Sequence, residues 1–134
     1  MPMQDSYQCL VIKKVKTDTA TTDAATIAIP FTGSGYAVRR VTVYNSKLGT
    51  TGATANGATA TLGVFGSAAG AGTSIVANAA LTGLTGSTIV LDRTVAATAL
   101  SPIVTDPILY IRVGTASGVA NSVIDVAIEY SSLP

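Results

Sequence analysis

The chain has 134 residues, the length of one domain. Hydrophobic residues make up 48% of it, aromatics 5% and charged residues 11%, against roughly 25% charge in a typical soluble domain, and the formal net charge is +1. Histidine and tryptophan are absent, Glu129 is the single glutamate and Cys9 the single cysteine, which excludes imidazole chemistry, His/Cys zinc sites and an intrachain disulfide.

Apolar residues recur with a period of two, in short stretches rich in Val, Ile, Thr and Tyr between Gly, Ser, Asn and Asp. In chain order this predicts strands at Gln8–Lys16, Ala25–Phe31, Tyr36–Asn45, Thr59–Phe65, Thr73–Asn78, Ser87–Arg93, Ile108–Gly114 and Ser122–Tyr130. About eight short strands without a convincing helix describe an all-β chain, a single antiparallel β-sandwich of jelly-roll type. Ala77–Leu84 has helical propensity, but Gly83 and Gly86 interrupt it. The expected organisation is one sandwich domain over residues 1–134, with an N-terminal arm over about residues 1–23. Met1–Asp5 has no basic run leading into an apolar stretch, and no apolar run reaches transmembrane length, so the chain is expected to be made in a cytosol without a membrane partner.

Taken in order, the local features carry the following expectations. Cys9 lies among Leu10, Val11 and Ile12 and reads as a buried structural thiol. Lys13, Lys14 and Lys16 read as a solvated strand edge rather than a phosphate-binding patch, so no nucleic-acid partner is expected. In the third strand Val38 falls in one phase and Val41 and Val43 in the other. A β-bulge at Arg39–Arg40 restores the phase and turns both arginines outward, toward solvent or a neighbour's carboxylates. Leu48–Ala58 is a long loop without charge or a large side chain, which suits packing against another protein.

At the C-terminal end, Leu109, Ile111 and Val113 alternate with Ile108, Tyr110 and Arg112. Ile124, Val126, Ile128 and Tyr130 alternate with Asp125, Ala127 and Glu129. Folded as a hairpin around Gly114–Asn121, Leu109 faces Ile128, Ile111 faces Val126 and Val113 faces Ile124, while Arg112 meets Asp125 on the other face.

A catalytic apparatus does not assemble from this inventory. Gly66–Thr73 has a glycine-rich spacing like a phosphate loop, but Gly72 stands where the lysine belongs, so a turn between strands is expected; Gly33–Gly35 reads the same way. Lys13, Lys14, Lys16 and Lys47 sit in no serine–lysine motif. Asp125 and Glu129 share a strand face but lie about 13 Å apart at the strand rise, beyond the roughly 5–10 Å of a glycosidase pair. Asp18, Asp23, Asp92 and Asp106 do not form a loop with several acidic calcium ligands. Tyr7, Tyr36, Tyr44, Tyr110, Tyr130, Phe31 and Phe65 are the available aromatics. The two phenylalanines are assigned to the core, and Tyr110 and Tyr130 fall on opposite faces, so no stacking platform forms. No catalytic, cofactor-binding or metal-binding residue is assigned, and no enzyme activity, cofactor or small-molecule substrate is expected.

The segment Leu62-Gly-Val-Phe-Gly-Ser-Ala-Ala-Gly-Ala-Gly-Thr-Ser-Ile-Val-Ala77, followed by Ala80-Leu-Thr-Gly-Leu84, resembles small structural proteins of tailed bacteriophages. The ending Leu109-Tyr-Ile-Arg-Val-Gly-Thr-Ala-Ser-Gly118 with Ile124-Asp-Val-Ala-Ile-Glu-Tyr130 is similar too. These are Ala/Gly/Thr-rich β-sandwiches known as head decoration or cement proteins. The resemblance spans about residues 60–130 and carries no diagnostic motif. It implies a jelly-roll domain, commonly a homotrimer, on the outer capsid surface of the virion, with the major capsid protein as partner. Two rival classes stand beside it: a phage tail or head-fibre module that recognises a host surface, and a carbohydrate-binding β-sandwich. The segments expected to make the shell contact are Met1–Asp23 and Leu48–Ala58.

Overall fold

A computed structural model describes residues 7–31, 33–72, 74–84, 90–93 and 104–133. Eight strands form: β1 (Tyr7–Lys16), β2 (Thr22–Ala28), β3 (Gly35–Leu48), β4 (Thr61–Phe65), β5 (Ser74–Ala80), β6 (Val90–Arg93), β7 (Ile108–Val113) and β8 (Ser122–Leu133). Each overlaps a stretch read from the period-two pattern. β2 begins and ends three residues earlier than expected. Ile29 still donates to the Pro107 carbonyl at 2.9 Å, but neither Pro107 nor Pro30 has an N–H to carry the ladder further. Ala77–Ala80 completes β5 rather than starting a helix. Residues 87–89 of the expected sixth strand lie outside the described residues.

The strands pair antiparallel into two four-stranded sheets, ordered β1-β8-β3-β6 and β2-β7-β4-β5. First strand pairs with last, second with seventh, third with sixth and fourth with fifth. A chain nested in this way and wrapped into two sheets is a jelly-roll sandwich.

This order corrects the expected C-terminal hairpin. β7 and β8 do not pair; β7 lies between β2 and β4, and β8 between β1 and β3. The apolar phases do face the core: Leu109, Ile111, Val113, Ile124, Val126, Ile128 and Tyr130 are all fully buried. They meet across the interior from opposite sheets instead of side by side within one. The loop after β7 crosses between the layers, and two sheets bury both stripes where one hairpin would share them on one face.

The core fills the space between the sheets with Val38, Val41 and Val43 of β3, Leu62 and Val64 of β4, Ile75 and Val76 of β5 and the β7 and β8 residues above. Leu81 and Leu84 seal it from the turn after β5. One end is closed by aromatics: the Tyr36 ring lies 5.1 Å from Phe31 and 5.8 Å from Tyr130, the second pair edge-on at 74°. The Tyr36 hydroxyl donates to the Asp106 carbonyl at 2.6 Å, and the Tyr130 hydroxyl to Gln8 Oε1 at 2.5 Å. The other end is closed by hydroxyls. Thr17, Ser117 and Ser122 are buried and chained, with Thr17 Oγ1 to Ser122 Oγ at 2.7 Å and Ser122 Oγ to Ser117 Oγ at 2.5 Å. Each of these three hydroxyls thereby has a partner, and the chain ties the end of β1 to the loop before β8.

The segment from Tyr7 onward is part of the sandwich, not an arm: β1 pairs along β8 from Tyr7↔Ser131 to Lys16↔Val123. Residues 1–6 lie outside the described residues. The edges β1, β2 and β5 each carry a register irregularity, and β6 has four residues. Bulged and short edges do not template further pairing.

Candidate interaction surface

β8 is central in its sheet, and its outward phase runs Val123, Asp125, Ala127, Glu129, Ser131. Asp125 is 3% exposed although it faces outward. Both neighbouring strands bulge at its level, β1 between Ile12 and Val15 and β3 between Tyr44 and Lys47. Lys14 and Asn45, at φ +57° each, adopt the left-handed backbone that a bulge of this kind requires. The Lys14 backbone N–H donates to Asp125 Oδ1 at 3.1 Å and Asn45 Nδ2 donates to Oδ2 at 2.8 Å. One carboxylate therefore fixes two left-handed residues on two strands, and charge-assisted bonds of this kind are stronger than neutral ones. The expected Arg112–Asp125 pair does not form, because the two residues belong to different sheets.

The bulges push lysines toward the hydroxyl-closed end of the same face. Lys16 and Lys47 both register on Val123, one from each side. A shallow cavity of about 250 Å³ lies there, lined by Lys14, Lys16, Gly49, Thr50, Asn121 and Val123. Its walls are held by the fold: Gly49 N–H donates to the Asn121 carbonyl at 2.8 Å and Asn121 N–H to Asp18 Oδ2 at 2.9 Å. The Leu48–Ala58 loop, expected to pack against another protein, is bonded to its own chain through its backbone. Leu48 N–H bonds Ala53 O at 2.7 Å, Ala55 N–H bonds Ser46 O at 3.1 Å and Gly57 N–H bonds Leu84 O at 2.8 Å. Ala55 and Gly57 are buried, whereas Thr50, Thr51, Thr54 and Asn56 stay exposed.

Further along this face the expected bulge at the arginine pair is present: Val38 pairs Tyr130 and Arg40 pairs Glu129, leaving Arg39 as the extra residue. Both arginines are exposed, and they find partners within their own chain. Arg40 Nε lies 3.6 Å from Glu129 Oε2, and Arg39 Nε donates to Ser131 Oγ at 3.0 Å. With side chains 58% and 38% exposed, the ion pair adds little stability. Across Glu129 and Ala127, β1 presents Cys9 and Val11. Cys9 is exposed, which corrects the reading of a buried thiol: Leu10 and Ile12 take the inward phase and Cys9 and Val11 the outward one. Tyr44, half-buried opposite Asp125, has its hydroxyl pKa raised by desolvation and by the Asp125 charge.

The second sheet's outward face is partly roofed. Leu62 and Val64 point into the core, so Gly63 and Phe65 point out, where they register on Arg112 and Tyr110. Phe65 is buried as expected, at 8% exposed, but it lies outside the cluster between the two sheets. Its ring lies over Gly63: a Cβ there would sit 2.6 Å from Phe65 Cε2. An aromatic covering a strand glycine replaces the side chain the glycine lacks. Phe31 packs half-buried against the core. Residues 66–72 of the glycine-rich segment are in the β4–β5 turn, with a short 3₁₀ turn at Ala68–Gly70, and Thr73 lies outside the described residues. The turn closes over this ring, a Cβ on Gly70 lying 3.5 Å from Arg112 Cδ and 4.0 Å from Phe65 Cζ. Arg112 Nη1 bonds Asp23 Oδ1 at 3.2 Å, and Asp23 Oδ2 accepts the Ala69 N–H at 2.9 Å. A protein carboxylate thus occupies an amide that a phosphate loop would offer to its ligand.

Three of the aspartates weighed as calcium ligands have other roles. Asp18 caps the Asn121 amide, Asp23 holds Arg112, Asp106 receives Tyr36 through its backbone, and Asp92 is in β6. Among the described residues no three of His, Cys, Asp and Glu gather as a metal-binding group. No helix is long and apolar enough to cross a membrane among them. Fold and surface together define a jelly-roll sandwich that carries two ion pairs, Arg40–Glu129 and Arg112–Asp23, among its described residues. Searches of protein-family models, curated proteins and solved structures return no match to the chain.

Proposed function

We propose that the protein is a bacteriophage structural protein that binds the outside of the capsid and stabilises it by bridging neighbouring shell subunits. It acts as a homotrimer, with the major capsid protein as partner and the virion surface as location. A jelly roll by itself hosts many functions, so the fold does not select this one. The observation that carries the reading is how the described polar groups are used. Asp23, Asp125, Glu129, Arg40 and Arg112 are engaged within the fold, and the buried hydroxyls of Thr17, Ser117 and Ser122 are chained to each other. Large parts of the outer faces are left to neutral side chains such as Val11, Thr26, Ala28, Thr42, Ala127 and Ile108. Neutral surface loses little on desolvation against another protein, and weak contacts multiply over many copies on a lattice. The phage-like phrasing of residues 62–84 and 109–130 supports the same reading.

The test is an electron-microscopy map of particles from the phage that encodes the chain, with co-sedimentation of purified protein on shells lacking it. Regular high-copy density on the shell, saturating in co-sedimentation, is the expected result. Density in the tail or a head fibre, or binding to host cells or glycans without binding to shells, would replace this reading with a host-recognition role.

A further inference from the structure

All four lysines of the chain, Lys13, Lys14, Lys16 and Lys47, belong to one end of the first sheet. The chain's other cations are four arginines; Arg40 and Arg112 lie in ion pairs, whereas no lysine does among the described residues. The carboxylates close to this end are already engaged. Asp125 is held by the Lys14 amide and Asn45, and Asp18 by the Asn121 amide. The cavity of about 250 Å³ between Lys14, Lys16, Thr50 and Asn121 is thus rimmed by two lysines that make no ion pair among the described residues. Its floor is apolar: Val123 is 4% exposed, and Gly49 leaves room above it, a Cβ there reaching 3.2 Å from Val123 Cγ1.

We infer that this cavity receives a glutamate side chain from an acidic segment of a partner protein. The glutamate methylenes lie on Val123 and Gly49, and the carboxylate lies between the ammonium groups of Lys14 and Lys16. An apolar floor beneath a charged rim suits this amphipathic side chain better than a fully hydrated inorganic phosphate. A nucleic-acid backbone needs cations spread along a path, whereas these four are gathered at one end. The walls are pinned by the Gly49–Asn121 and Leu48–Ala53 backbone bonds, so little ordering is lost on binding. The partner's identity as a shell subunit rests on the proposed function; the chemistry of the pocket does not.

The experiment is an NMR titration of the full chain with acetylated triglutamate amide, against triglutamine amide, sodium phosphate and an oligothymidylate at matched ionic strength. Saturable millimolar binding is expected for the glutamate peptide, with shifts centred on the amides of Lys14, Lys16, Gly49, Thr50 and Asn121. Lys14→Glu/Lys16→Glu should weaken it at least tenfold, and Lys16→Gln, which removes one exposed charge without reversing it, should weaken it severalfold. Equal shifts from the glutamine peptide, unchanged binding by folded variants, or tighter binding of phosphate or oligothymidylate would overturn the inference. On shells the two readings separate. Wild-type binding with loss in the double variant supports both. Wild-type and variant occupancy that are equal overturn the pocket alone. Absence of wild-type shell binding with peptide binding intact overturns the capsid role alone.

Discussion

The placement of Phe65 outside the main core has a consequence that stability measurements can reach. A Cβ on Gly63 would sit 2.6 Å and 2.9 Å from Phe65 Cε2 and Cζ, and 2.8 Å from Asn78 Oδ1. Contacts that short force displacement, and overpacking of this kind costs about 1–3 kcal/mol. Against it stands the backbone entropy an alanine saves in a strand, about 0.5–1 kcal/mol. Gly63→Ala alone should therefore destabilise by about 1–2 kcal/mol. Phe65→Ala should cost about 3 kcal/mol, the low end for a buried phenylalanine, because its ring is roofed by a turn and not enclosed by two sheets. In the Phe65→Ala background the ring contact is gone, and the exposed Asn78 side chain can move. Gly63→Ala then becomes neutral or stabilising by about 0.5 kcal/mol. Urea unfolding of the four proteins, followed by circular dichroism with unchanged m-values, measures the cycle. A coupling of about 1–2 kcal/mol is expected; additivity within about 0.5 kcal/mol would refute the stacking of the ring on the glycine.

Three further outcomes follow from the same geometry. Asp125→Ala removes two charge-assisted bonds and leaves the left-handed backbone at Lys14 and Asn45 unsupported, so a loss of about 2–4 kcal/mol is expected in denaturant unfolding. Tyr36 has its pKa raised by desolvation first and then by the Asp106 charge, and Tyr130 is raised by desolvation. A phenol held neutral in the fold but ionising near pH 10 when unfolded makes stability fall as pH rises above about 10. Absorbance at 295 nm should show these tyrosines ionising together with unfolding, and Tyr36→Phe should reduce the alkaline slope. Cys9, exposed on the outward face, should react stoichiometrically with a thiol reagent in the native protein; protection until unfolding would contradict that placement.

Strand positions were legible because burial on one face writes a period of two into the residues. Ile124, Val126, Ile128 and Tyr130 announce both a strand and its inward side. The Arg39 bulge was legible for the same reason, since only an extra residue reconciles Val38 with Val41 and Val43. Two placements had a usable signal in the same alternation. Leu62 and Val64 claim the core phase and leave Phe65 with Gly63, and Leu10 and Ile12 leave Cys9 with Val11. The partner of Arg112 had no local signal. Alternation says that it faces outward, but Asp23 reaches it only because β2 and not β8 lies beside β7.

The candidate pocket shows the same division. Lysines at 13, 14, 16 and 47 are visible as residues, yet Lys47 lies 31 positions beyond Lys16 in the numbering and joins the cluster only through the register both share with Val123. By itself the sequence determined what is local and periodic: eight strands, their inward faces, a small charge complement and the absence of imidazole. Only the tertiary structure decided which strands lie side by side, because an outward residue's neighbours depend on sheet order, and sheet order depends on long-range crossings. That order turned the expected Arg112–Asp125 pair into Arg112–Asp23, freed Asp125 to brace two bulges and gathered the lysines at one end, where none makes an ion pair among the described residues.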